Sequence, residues 1–151
     1  MSDALTIRRA TAADAPTLLG LVEALAQYEK LTPPDEPAQQ RLVRDVFERR
    51  RLDAWIAQIG AEAAGYALTF ESYSSFLALP KLYLEDLFVL PQYRGCGAGY
   101  ALFQEIVAEA KRRGCAKVEW TVLEWNEPAK DFYRRSGAHA RADWGLWQLP
   151  L

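Results

Sequence analysis

The chain has 151 residues, of which half are apolar and a quarter charged, and its formal net charge is −2. This length predicts one domain with one core, residues 1–151, and the near-neutral charge argues against nucleic acid or a membrane surface as partner. The absence of an apolar leader or span, together with only two cysteines and one histidine, predicts a cytoplasmic protein with free thiols and no metal site.

The first half of the chain predicts a strand, two helices and a hairpin. Thr11 is a suitable N-cap for the first helix, in which apolar residues repeat at helical spacing, and Pro33 and Pro34 follow its end. A tight turn at Gly60–Glu62 joins two apolar runs and is typical of a hairpin. The predicted elements are a strand Leu5–Arg9, a helix ending near Lys30, a helix over about Pro37–Arg50, and strands Ala54–Ile59 and Ala63–Glu71.

The second half predicts an alternation of strands and helices, so the fold class is mixed α/β. Ser72–Pro80 is expected to be a loop, and Gly114 and Gly137 are expected to end the two helices. The predicted elements are a strand Lys81–Leu90, a helix Gly99–Arg113, a strand Lys117–Val122, a short helix capped by Asn126, and one or two closing strands within Ala138–Leu149.

The most informative segment joins the strand Lys81–Leu90 to the helix that follows it. It reads Arg94-Gly95-Cys96-Gly97-Ala98-Gly99, with glycines at alternate positions immediately before the helix. Glycine permits positive φ and close approach of a ligand to the backbone, and the first N–H groups of a helix lack intrahelical partners. The segment therefore predicts a cradle for a phosphate or pyrophosphate.

Two common phosphate loops are excluded or disfavoured by the spacing. A Walker loop needs Gly-Lys-Ser/Thr after the glycines, and this chain has none there. A dinucleotide loop needs G-x-G-x-x-G, whereas Tyr100 occupies the sixth position here.

The segment instead resembles the R/Q-x-x-G-x-G/A signature of the GNAT N-acetyltransferase superfamily, which binds acetyl-CoA. Further blocks resemble its spermidine/spermine (diamine and thialysine) N-acetyltransferase-like branch. These blocks are Tyr28-Glu29, Tyr83-Leu84-Glu85-Asp86, Glu124-Trp125-Asn126-Glu127-Pro128 and Phe132-Tyr133-Arg134-Arg135-x-Gly137-Ala138. The resemblance implies a mixed twisted sheet, flanked by helices, whose central parallel strands splay apart around the pantetheine arm.

The resemblance also implies roles for individual residues. Tyr133 would protonate the departing thiolate, and Glu85 would receive the amine and lead its proton away. The cofactor would be held by Leu87, Phe88, Val89, Arg94, Gly95, Cys96, Gly97, Ala98, Gly99, Asn126, Lys130 and Tyr133. An acetyl-cysteine intermediate on Cys96 is disfavoured because no histidine is near it in sequence.

The acceptor is expected to be a small cationic amine. The residues that would surround it are Tyr28, Glu29, Glu85, Glu119, Trp120 and Asp143. Glu85 and Asp86 are neighbours on a strand and should point to opposite faces unless a bulge intervenes. The competing interpretation of Glu85 is a salt bridge at the strand edge, and that of the other acidic residues is an ordinary surface position.

The leading hypothesis is an acetyl-CoA-dependent N-acetyltransferase. Polyamines, diamines and lysine-like amino acids are all open as acceptors, and an aminoglycoside or a protein N-terminus is a further option. The alternative is a non-catalytic acyl-CoA-binding regulatory module, which would not need Tyr133 or Glu85. The resemblance further implies a homodimer formed through the C-terminal strands, where Trp144, Leu146 and Trp147 would equally suit a monomer core.

Overall fold

The computed structural model describes residues 3–151 and contains two compact units. The first unit ends at Trp120 and contains the sheet, three α-helices and two short 3-10 helices in its described residues; the second spans Thr121–Leu151 and contains one α-helix. The elements are β1 Leu5–Arg9, α1 Ala15–Glu29, α2 Glu36–Phe47, β2 Asp53–Ile59, β3 Glu62–Ser74, β4 Leu79–Val89, α3 Ala98–Arg112, β5 Val118–Glu119 and α4 Glu127–Arg135.

The strands of the first unit form one mixed sheet in the order β1-β2-β3-β4-β5. The first four strands are antiparallel neighbours, and only β4 and β5 are parallel. The parallel pairing is short, since it joins Leu82 to Val118 and Tyr83 to Glu119 and then stops. The rest of β4, from Leu84 to Val89, therefore has a strand neighbour on one side only within the described residues.

Helices cover both faces of the sheet. On one face, α1 and α2 bury an apolar cluster against β2, β3 and β4; its buried members are Leu18, Leu21, Val46, Ala54, Ile56, Tyr66, Leu68 and Phe88. Helix α3 contacts β1 to β4 and buries Leu102, Phe103, Ile106 and Ala110. Because strand side chains alternate between faces, Trp55 and Ala67 lie on the α3 side. None of the helices described in residues 3–151 is long and apolar enough to cross a membrane.

The mixed α/β fold class is confirmed, whereas several predicted bounds are wrong. The loop expected at Ser72–Pro80 is a hairpin turn, because cross-strand pairs extend to Ser74 and Leu79. Helix α2 ends at Phe47 rather than Arg50, which has a left-handed φ of 52°. The strand expected at Lys117–Val122 is only Val118–Glu119, because its ladder with β4 ends there.

The predicted closing strands are also absent: residues 138–151 contain no strand. A strand needs a ladder partner for its N–H and C=O groups, and none is supplied to this segment within the described residues. A local contact bends the segment, as the Arg141 side chain donates to both carboxylate oxygens of Asp143 at 3.0 Å. The tryptophans at 144 and 147 are exposed.

Candidate active site

The glycine segment forms an open turn at the start of α3. Gly95 and Gly97 have φ of 81° and 87°, and Gly97 is the N-cap of the helix. No side chain caps this end, and a Cβ added at either glycine would meet no atom within 4 Å. Ala98 is buried and anchors the first turn, whose N–H groups have no side-chain cap. This geometry suits an anion.

Two side chains of this segment turn back toward the protein. The Sγ of Cys96 donates to the Tyr93 carbonyl at 2.7 Å. The Nε of Arg94 donates to the Val89 carbonyl at 3.2 Å, and its guanidinium lies over the rings of Tyr28 and Phe88, 4.9 and 5.6 Å from their centroids. Arg94 thus connects the loop to the end of β4 and to α1, while a contact with pyrophosphate stays a prediction.

The end of β4 adjoins this loop and carries the predicted pantetheine-binding residues. Leu87, Phe88 and Val89 pair with Ala67, Tyr66 and Gly65 of β3. A Cβ on Gly65 would lie 2.4 Å from the Phe88 carbonyl oxygen, so Gly65 is required for this close pairing. Since β5 pairs with β4 only at Leu82 and Tyr83, the other edge of this stretch has no neighbouring strand within residues 3–151.

A β-bulge in β4 changes the orientation expected for Asp86. Leu84 is opposite Thr69 and Asp86 is opposite Leu68, so Glu85 is the extra residue without a cross-strand partner. The bulge shifts the alternation, and Asp86 shares the α1 face with Leu68, as its contact with Tyr66 confirms. The bulge that the sequence left open is therefore present at Glu85.

Asp86 is held in a partly buried position by a tyrosine that the sequence analysis did not single out. The hydroxyl of Tyr66 donates to Asp86 Oδ2 at 2.8 Å, and Tyr66 is fully buried. Burial is the main cause that raises the pKa of Asp86 to about 6; the negative charges of Glu85 and Glu29 raise it further, and the Tyr66 hydrogen bond opposes them. Tyr66 gives no local sequence signal, because its role depends on the β3–β4 register.

The end of α1 lies on the same face. The ring of Tyr28 is 5.8 Å from that of Phe88, and Glu29 is the last residue of the helix. Burial raises the pKa of Glu29, and its charge acts on both Asp86 and Tyr66. The structure thus brings together Tyr28, Glu29, Glu85 and Asp86, of which the first three were predicted acceptor residues.

Glu119 and Trp120 are occupied by other contacts of the first unit. Glu119 accepts from Lys81 at 3.2 Å and pairs with Lys117 at 3.3 Å, and these lysines lower its pKa against the opposing effect of burial. Its charge is already balanced, so it is less suited to bind a cation. Trp120 packs edge-on against Phe103, with ring centroids 5.5 Å apart.

The remaining predicted residues lie in the second unit. Asn126 caps α4 by accepting from the Ala129 N–H at 3.4 Å. Lys130 donates to the Glu124 carbonyl and pairs with Glu124 and Glu127. Tyr133 is half-buried and packs edge-on against Phe132, with centroids 5.3 Å apart. Asp143 is exposed and paired with Arg141, which lowers its pKa.

Comparison with known proteins agrees with the fold and the motif. The chain matches the Acetyltransferase (GNAT) family over residues 21–138. It is 34% identical over 141 residues to a thialysine N-epsilon-acetyltransferase of Bos taurus, covering 87% of this chain and 82% of the relative. An L-ornithine N5-acetyltransferase of Arabidopsis thaliana is 40% identical over 86 residues, which are 57% of this chain and 38% of that protein.

A solved structure has the same fold at low sequence identity. The crystal structure of a possible acetyltransferase from Clostridium difficile 630 has a TM-score of 0.85 and 17% identity, covering 97% of each chain. The fold and the family match define an acetyltransferase. The chain belongs to the GNAT family, and its named relatives make it an enzyme of the N-acetyltransferase class.

Proposed function

We propose that this enzyme transfers the acetyl group of acetyl-CoA to a primary amine of a small cationic acceptor. The observation that best supports this proposal is the group of three carboxylates at Glu29, Glu85 and Asp86, which adjoins the end of β4. The negative charges of the other two act on Asp86, which forms no ion pair with a lysine or arginine in the part of the chain that the structure describes. A cationic ligand would relieve this repulsion.

The first unit offers a fitting place for the phosphates of acetyl-CoA. The open positive-φ glycines and the uncapped start of α3 suit the pyrophosphate. The edge at Leu87–Val89 has no neighbouring strand within the described residues, and apart from the Val89 carbonyl, which accepts from Arg94, it can hydrogen-bond an extended amide-containing arm. Bound acetyl-CoA supplies an activated thioester for attack by an amine. Asn126, Lys130 and Tyr133 are proposed cofactor residues because they fall in the family motif.

Acetyl transfer to an amine requires two proton transfers that the protein can assist. A carboxylate must take the proton of the acceptor ammonium, for which Glu85 is the residue suggested by family position. A donor must protonate the leaving thiolate, and the Tyr133 hydroxyl is proposed for this task. Both assignments support catalysis over the alternative of a non-catalytic acyl-CoA-binding module.

The acceptor class is proposed from the relatives and from charge. A thialysine and an ornithine acetyltransferase each act on an amino acid that carries a distal amine, which favours a lysine-like acceptor over a long polyamine. The small number of unpaired acidic residues also favours a lysine-like acceptor, because Glu119 and Asp143 are already paired with basic residues. A homodimer, a single catalytic domain and a cytoplasmic setting stay predictions; analytical ultracentrifugation tests the first.

A matched amine panel tests the proposal. Thialysine, ornithine, a short diamine and spermidine are compared with hydroxyl analogues of the same length while thiol release is followed. The cationic amines should react and the hydroxyl analogues should not, and the amino acids should give the highest kcat/KM. Activity confined to hydroxyl acceptors would refute the proposed acceptor class.

A further inference from the structure

The one polar atom of the buried Tyr66 side chain meets a carboxylate at the candidate site. Tyr66 has no exposed surface, and its hydroxyl donates to Asp86 Oδ2 at 2.8 Å. A buried phenol requires a hydrogen-bond partner. The bulge at Glu85 makes the contact available, because without it the alternation from Leu84 would send Asp86 to the α3 face.

We propose that Asp86, rather than Glu85, takes the proton from the acceptor ammonium, and that Tyr66 is a positioning residue that fixes Asp86 for this task. The assignment rests on the proposed amine acetylation. Tyr66 holds Oδ2, while Oδ1 accepts no hydrogen bond from the residues that the structure describes. One carboxylate oxygen is thus anchored, and the other is available to an ammonium.

The surroundings of Asp86 suit a proton acceptor better than those of Glu85. Glu85 is exposed and has no cross-strand partner in the β3–β4 ladder. Asp86 lies in β4 opposite Leu68, its carboxylate is held by Tyr66 of β3, and its pKa of about 6 lets it be ionised at neutral pH and yet accept a proton readily. The groups that act on it are Tyr66 from β3, Glu29 from α1 and Glu85 from β4, while Arg94 is engaged by the Val89 carbonyl.

The proton and electron balance of the step is simple. The ammonium nitrogen gives one proton to Asp86 and uses the freed lone pair to form the C–N bond with the acetyl carbon. The C–S bond breaks with its electron pair on sulfur, the thiolate takes a proton from the donor, and the amide nitrogen loses its remaining excess proton to solvent. Asp86 then returns its proton to water and the donor regains one from solvent, so that one proton is released per amide formed and no oxidant or further reactant is needed.

The pH dependence of kcat/KM tests the assignment with variants that move it in opposite directions. The wild-type acidic limb should have a pKa near that of Asp86, about 6. Tyr66→Phe removes a hydrogen bond that favours the carboxylate form of Asp86 and should raise the pKa of the acidic limb by about one pH unit. Glu85→Gln removes a neighbouring negative charge and should lower the pKa of the acidic limb. Asp86→Asn should remove the limb from the profile. Tyr73→Phe, on an exposed tyrosine of the same strand, is the matched control.

A titration of the protein alone gives a readout that does not depend on turnover. With 13C-labelled aspartate carboxyls, the signal that disappears in Asp86→Asn should titrate near pH 6 and move upward in Tyr66→Phe. A folded Tyr66→Phe protein with an unmoved titration would overturn the positioning role. If the acidic limb is lost in Glu85→Gln but kept in Asp86→Asn, Glu85 and not Asp86 is the residue that accepts the proton.

The two proposals fail in different ways. Wild-type protein that acetylates no amine would overturn the proposed function and, with it, the catalytic role of Asp86. Wild-type activity with unchanged limbs in all three variants would overturn only the assignment to Asp86 and Tyr66. If Tyr66→Phe does not fold, Asp86→Asn and Glu85→Gln still decide which carboxylate accepts the proton, because the first should remove the acidic limb and the second should only lower its pKa.

Discussion

Replacement of Gly97 by alanine separates a role in anion binding from a role in backbone geometry. Gly97 has a φ of 87° and open space where a Cβ would be. Alanine there costs about 1–2 kcal/mol from the left-handed conformation alone, which lowers the melting temperature by roughly 2–4 °C per kcal/mol in a chain of this size. The protein should therefore still fold.

The same methyl group would stand where phosphate must approach the backbone. Loss of one or two charge-assisted hydrogen bonds, about 1.5–3 kcal/mol each, weakens binding by roughly ten- to ten-thousandfold. Gly114→Ala is the matched control, because Gly114 follows the other end of α3 with a φ of 71° and equally open space. Calorimetry with CoA should show a loss only in Gly97→Ala. Equal affinity of the two folded variants would refute the pyrophosphate site.

Three further substitutions test separate parts of the molecule. Tyr133→Phe should lower kcat by roughly 10²–10⁴-fold with little change in CoA affinity; steady-state kinetics with wild-type turnover would remove Tyr133 from the mechanism. Glu29→Gln should raise KM for a cationic amine about tenfold, a change of about 1.4 kcal/mol, whereas Glu23→Gln, on the exposed face of α1, should not. Glu109→Gln should lower the free energy of unfolding at pH 7 by about 2 kcal/mol, because Glu109 accepts hydrogen bonds from three arginines. Desolvation is the largest single effect on the pKa of Glu109 and raises it, but the arginines together outweigh it and lower the pKa to about 2. Since the pKa of Glu109 is lower in the folded than in the unfolded protein, this contribution to stability is present above about pH 4.5 and disappears as the pH falls toward 2. Chemical denaturation of the wild type should show that pH dependence, and the control Glu105→Gln should lose less stability. An unchanged stability of Glu109→Gln would contradict the prediction.

Local signals predicted the glycine loop well. Gly95, Gly97 and the start of α3 depend on the backbone freedom of glycine and on helix-end geometry, both of which are readable from a few consecutive residues. The same holds for Asn126, whose side chain caps α4 as expected. These features need no knowledge of distant parts of the chain.

Features that depend on pairing between distant parts of the chain could not be predicted from the sequence. The orientation of Asp86 depends on the register of β3 against β4, which places the bulge at Glu85. The apolar residues on both sides of the Glu85–Asp86 pair, including Leu84 and Phe88, give no period that would reveal which face each occupies. The tail failed for a related reason: its tryptophans are typical of strands, but a strand exists only where another backbone pairs with it.

The proposed acetyl transfer is tested most directly by one measurement of stoichiometry. Purified protein is mixed with acetyl-CoA and thialysine or ornithine, and thiol release is measured together with the N-acetylated product by mass spectrometry. We expect one thiol per acetylated amine, with catalytic turnover and acetylation at the distal nitrogen. Tight binding of acetyl-CoA without thiol release across the amine panel would contradict the proposal and favour a non-catalytic acyl-CoA-binding module.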